Sequence, residues 1–212
     1  LLFASYTAGF KSGGFGTFSL TDDPQGNSPL GEVDITPSQG FKPDSVEPEE
    51  VDSYEIGYKD TLFDGAANVD LSAFYYDYTD FQITVSTDSG ASKIANVGQI
   101  EAWGLEGSIT AGLGEYFTAY LSMGYLDSEA TDIQDACGLP DPNGCEDSRI
   151  FWAPEFSGSF VLSARYPIDG GDLTGNFEMV WESDRGRGWE DLPETEIGAY
   201  EEYALRVGYA SN

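Results

Sequence analysis

The sequence predicts an all-β chain, an antiparallel transmembrane β-barrel segment of about eight strands. The first observation behind this is the stretch Tyr54 to Gln82, YEIGYKDTLFDGAANVDLSAFYYDYTDFQ. Val69, Leu71, Ala73 and Tyr75 alternate with the polar Asn68, Asp70 and Ser72, and Tyr54, Ile56 and Tyr58 alternate with Glu55, Gly57 and Lys59. Successive side chains of a strand point to opposite faces, so each run has one apolar and one polar face. Phe63-Asp64-Gly65 supplies an Asp-Gly hairpin turn between them. The second observation is the aromatic crowding past Phe74: Tyr75, Tyr76, Tyr78 and Phe81. Barrel strands carry such a girdle where the lipid meets water. The third is the lack of any apolar run long enough (about 18 residues) for a transmembrane helix. Mean hydropathy is negative, as expected when only every second residue of a strand faces lipid.

Taken in order, the first strand is Leu2 to Phe10, with Leu2, Ala4, Tyr6, Ala8 and Phe10 on one face. A long acidic loop runs over 12–52, and the hairpin supplies strands two and three. A short loop at 84–92 leads into strand four, about Lys93 to Ala111, where Trp103, Leu105, Ile109 and Ala111 oppose Glu106, Ser108 and Thr110. Gly112-Leu113-Gly114 turns the chain into strand five, Tyr116 to Leu126, with Phe117, Ala119, Leu121, Met123 and Tyr125 outward. After a loop at 127–153, strand six spans Phe156 to Tyr166; Phe160, Leu162 and Tyr166 face out and Arg165 faces in. Asp169 to Asp172 turns into strand seven, where Leu173, Phe177, Met179 and Trp181 alternate with Thr174, Asn176, Glu178 and Glu182. A loop at 183–198 precedes strand eight, with Tyr203, Leu205, Val207 and Tyr209 outward and Glu202, Ala204 and Arg206 inward. Short turns alternate with long connections, which places the long loops outside the cell and the short turns in the periplasm.

Three segments carry a family resemblance: PEEVDSYEIGYKDTLFDG from Pro48, FYYDYTDFQ from Phe74, and NVGQIEAWGLEGS from Asn96. With LLFASYTAGFKSGGF before them, they resemble TonB-dependent outer-membrane receptors, in order from Leu2 to about Glu106. The resemblance implies a twenty-two-stranded barrel. The chain would then be one partial barrel domain over 1–212, with the plug, the first strands and the last two strands lying elsewhere in a longer protein. It also implies a transport receptor. A scarce ligand, most often an iron–siderophore complex, binds at the loops and lumen, and the TonB–ExbB–ExbD motor pulls on the plug to admit it. The competing class is a structural barrel whose acidic loops hold a surface protein partner.

Nine basic and 38 acidic residues give a net charge of −29, with no histidine. Such a surface repels polyanions, so no nucleic-acid partner is expected. The expected surroundings are outer-membrane lipid and lipopolysaccharide. A chain without histidine cannot build a Ser-His-Asp triad, and two cysteines make a poor zinc site. No enzyme activity, metal or cofactor is therefore expected.

Cys137 and Cys145, in CGLPDPNGC, are expected to form a disulfide, since an oxidising compartment permits it. The nearby Asp141, Asn143, Glu146 and Asp147 fit no EF-hand spacing. Arg185, Arg187 and Trp189 stand out on an acidic background as a contact for an anionic or aromatic ligand, against the plainer reading of local ion pairs. Glu55, Lys59, Glu106, Arg165, Glu178, Glu202 and Arg206 are expected to face a wet lumen and to pair with each other, with water or with the plug. Trp103, Phe117, Leu121, Tyr125, Phe160, Leu162, Tyr166, Phe177, Met179, Trp181 and Tyr209 are expected to face lipid or its interface.

Overall fold

The computed structural model describes residues 1–15, 45–86, 92–96, 98–131, 149–150, 152–186 and 196–211. Eight long strands form one antiparallel sheet: β1 (Leu2–Lys11), β4 (Glu49–Leu62), β5 (Ala67–Thr79), β8 (Gln99–Leu113), β9 (Phe117–Thr131), β10 (Phe156–Ile168), β11 (Gly171–Glu182) and β12 (Tyr200–Ser211). Each pairs with its neighbour along the chain. Two small sheets stand apart, β2 (Gly14–Phe15) with β3 (Ser45–Val46) and β6 (Gln82–Ser86) with β7 (Ser92–Asn96).

The register is unbroken across the wall, so directly opposed residues share a face. One row reads Ile109, Leu121, Phe160, Met179, Tyr203. The next reads Ala119, Leu162, Phe177, Leu205. On the other face a row reads Lys59, Asp70, Ser108, Ser122, Ser159, Val180, Glu202. The sheet is thus apolar on one side and polar on the other. Leu205 and Val207 on the apolar face are 72% and 71% exposed. An apolar face this extended demands a non-aqueous neighbour.

Strands of 14 or 15 residues, as in β4, β8 and β9, exceed the roughly 9–11 residues that cross a bilayer. The surplus projects beyond the hydrocarbon at the end away from the short turns. Among the described residues, the fully buried side chains Ile100 and Ala130, with Ala102 and Ser128 nearly so, lie at that far end on the polar face. Ile150 donates its N–H to Ser128 Oγ at 3.1 Å and so lies against that end.

The sequence boundaries need correction in three places. The connection expected at 84–92 is the separate hairpin β6–β7, and the wall strand resumes at Gln99 rather than Lys93. The turn placed at 112–114 lies at 114–116, where Gly114 adopts φ 70°. β4 begins at Glu49 and β9 runs to Thr131, because polar strand ends above the membrane show no apolar alternation to read. The turn at Phe63–Gly65 stands as expected; Phe63, Asp64 and Gly65 all take positive φ, as a reversal this tight requires.

Candidate functional site

All seven charged residues expected to share a face do so: Glu55, Lys59, Glu106, Arg165, Glu178, Glu202 and Arg206 lie on the polar face. Lys59 Nζ reaches Asp70 at 2.6 Å and sits 5.5 Å from the Phe3 ring centroid. Arg206 pairs with Glu178 across β11–β12 at 2.5 Å. Arg165 Nε donates to Asp172 at 2.8 Å. These exposed pairs set side-chain direction more than stability.

Beside Lys59 and Asp70 lies a hollow of about 420 Å³, lined by Glu55, Lys59, Asp70, Glu106 and a floor of Ser72, Ser108, Ser122 and Ser157. Small residues at these positions leave the space. Ser5 Oγ approaches Glu55 at 3.5 Å, and neither Glu55 nor Glu106 forms an ion pair among the described residues. The arrangement offers hydroxyls, carboxylates and one ammonium to a polar occupant.

Above the hollow, Phe74, Tyr76 and Tyr78 stack along β5 at centroid distances of 5.1 and 6.3 Å, and Phe81 meets Tyr78 edge-on at 5.6 Å. Here the girdle expectation is corrected. Tyr75 lies on the apolar face beside Tyr54 and Trp103, whereas Tyr76 and Tyr78 lie on the polar face. Their even numbers, in phase with Asp70 and Ser72, carry that signal.

The eleven residues expected to face lipid, Trp103, Phe117, Leu121, Tyr125, Phe160, Leu162, Tyr166, Phe177, Met179, Trp181 and Tyr209, share the apolar face. At its upper border, aromatic donors end on carboxylates: Tyr6 OH on Asp52 at 2.7 Å and Trp103 Nε1 on Asp127 at 3.1 Å. The next row up is Asp52, Asp77, Glu101 and Glu129, each directly opposite the next. Like charges in direct register are unfavourable. Glu101→Gln is therefore expected to stabilise the barrel by roughly 0.2–1 kcal/mol. The gain should shrink as salt rises, and a urea midpoint that is unchanged or lowered at low salt would contradict it.

Arg185 pairs with Glu182 and bridges to Ile197, so the local-pair reading describes its contacts. Arg187, Trp189, Cys137 and Cys145 lie outside the described residues. Arg149, not singled out from sequence, joins this end of the sheet through Asp184 at 3.3 Å and Glu155 at 3.9 Å. Among the described residues no group of three or more acids, cysteines or histidines is placed to hold a metal.

The whole chain, residues 1–212, matches the family described as TonB dependent receptor-like, beta-barrel. The chain belongs to that family. Solved structures similar to it include the ferric yersiniabactin uptake receptor FyuA from Yersinia pestis, at 15% identity and TM-score 0.71. The siderophore receptor PiuA from Acinetobacter baumannii matches at 17% and 0.70, and the ferric preacinetobactin receptor BauA from the same species at 15% and 0.68. All of this chain aligns with 27% of each of those chains. The chain therefore spans about a quarter of the length of the receptors it matches, and its sheet is a wall segment of a larger outer-membrane barrel. At these identities the likeness is one of fold.

Proposed function

We propose that this wall belongs to a receptor that takes up an iron–siderophore complex across the outer membrane, powered through TonB, ExbB and ExbD acting on a plug. The observation that carries the reading is the two-faced sheet of a TonB-dependent receptor family member. Its apolar face, with the eleven residues from Trp103 to Tyr209, meets lipid. Its polar face, with the seven charged residues, lines a wet lumen. FyuA, PiuA and BauA are named for siderophores or their iron complexes, which favours iron among the family's cargoes. The long connections face outward, and the aromatic row Phe74–Tyr76–Tyr78 stands on the lumen side of the outer mouth. Arg185 lies at the same end of the sheet.

Deleting the complete gene is expected to abolish growth on one ferric siderophore as sole iron source. Loss of TonB should reproduce that defect, and the intact gene should restore growth only in cells with TonB. A strain that grows normally on every siderophore tested, yet loses a surface protein from its envelope, would favour the interaction barrel instead. In the same exported location, a bond between Cys137 and Cys145 is expected. Thiol labelling of the unreduced protein is expected to find neither Cys137 nor Cys145 free.

A further inference from the structure

Along the outer border of the apolar face, aromatic side chains form a chain of rings. Trp103 meets Tyr125 at a centroid distance of 5.3 Å, and Tyr125 meets Phe156 at 4.9 Å. Past Phe156 the chain opens. The Trp181 indole covers Gly158 on β10, where a Cβ would collide with the ring. Beside it, over β11 and β12, lies a hollow of about 480 Å³ bounded by Phe156, Trp181, Ala199, Tyr200 and Glu201. The small side chain of Ala199 leaves the space, which is ample for a lipid headgroup.

The charge available to an occupant has one sign. Ser183 lines the hollow too, but its Oγ accepts the Phe156 N–H at 3.0 Å and donates to the Asp184 carbonyl at 3.3 Å. Glu182 is paired with Arg185. Glu201, directly opposite Trp181 on the apolar face, remains. It accepts the Tyr203 hydroxyl, and among the described residues no cation pairs with it. The basic residues of the wall strands, Lys11, Lys59, Arg165 and Arg206, all lie on the polar face. An anionic headgroup therefore finds no basic partner on the apolar face of these strands. An ammonium finds a carboxylate and an indole, and both attract it. The aromatic belt marks this level as the membrane interface, where headgroups sit.

We propose that this hollow binds one phosphatidylethanolamine headgroup, with its ammonium between the Trp181 indole and the Glu201 carboxylate. The site follows from the wall and its place in the membrane, and holds whatever cargo the receptor carries.

Native mass spectrometry of the complete receptor in detergent micelles tests it, with phosphatidylethanolamine or phosphatidylglycerol of the same acyl chains as the probe. One phosphatidylethanolamine is expected to bind roughly fivefold or more tightly than phosphatidylglycerol. Glu201→Gln is expected to weaken phosphatidylethanolamine roughly tenfold and to leave phosphatidylglycerol unchanged. Trp181→Leu, apolar at the same place but without the ring, should also abolish the preference. Glu101→Gln removes a carboxylate from the same border outside the hollow and should change neither lipid. Equal binding of the two lipids would mean that acyl chains alone are held, and would overturn the proposal. So would an unchanged preference in Glu201→Gln or Trp181→Leu. An equal loss in Glu201→Gln and Glu101→Gln would assign the effect to diffuse surface charge and reject the site.

Discussion

Leu121→Arg is expected to cost the barrel about 2–4 kcal/mol of stability in lipid, while Ser122→Arg one residue away costs far less. The two positions differ only in face. Leu121 opposes Ile109 and Phe160 on the apolar side, and Ser122 opposes Ser108 and Ser159 on the polar side. The rows below and above Leu121 are also apolar, Ala119 with Leu162 on one side and Met123 on the other. A guanidinium there has no short path to water. At Ser122 it enters a hollow already lined by Glu55, Asp70 and Glu106, where water and carboxylates receive it. Urea titrations of the complete receptor refolded into phospholipid vesicles would measure both. Equal costs, or a larger cost at Ser122, would invert the face assignment and with it the lumen reading.

That assignment was legible because strand periodicity is local. A shift of one residue moves every side chain to the other face, so runs such as Phe117 to Tyr125 state their own orientation. The charged set from Glu55 to Arg206 follows by parity alone. What could not be read is the outer end. There the strands leave the membrane, both faces meet water or other loops, and alternation stops carrying information. The Glu49 start of β4 and the departure of β6–β7 from the wall both lie in that zone. The contacts of Gln82 and Asn96 are illegible for a further reason. Gln82 and Asn96 meet Glu47 across separations of 35 and 49 residues, and an exposed-looking amide in a sequence shows nothing of a partner so far away. Tyr76 and Tyr78 were misread differently. Aromatic content suggested a girdle, although their phase with Asp70 and Ser72 already placed them on the polar face.

Gly104→Ala is expected to destabilise the wall by about 1–3 kcal/mol, whereas Gly112→Ala in the same strand stays within roughly 0.5 kcal/mol. Neither glycine has a left-handed backbone, so the difference lies in space. A Cβ at Gly104 would stand 2.3 Å from Phe74 Cζ and 2.4 Å from the Tyr125 carbonyl oxygen. At Gly112 the nearest atom is the Ala66 carbonyl oxygen at 3.8 Å. The Phe74 ring could turn aside, but the Tyr125 oxygen belongs to the β9 backbone. Relief there means moving β9 away from β8, which strains the ladder between them. Adding Phe74→Ala should therefore rescue Gly104→Ala only in part, and the double variant should remain less stable than Phe74→Ala alone. Full rescue would assign the whole cost to the ring. An innocuous Gly104→Ala would mean that the ring does not lie over Gly104, and that the aromatic row on the lumen side is not seated on β8 as described.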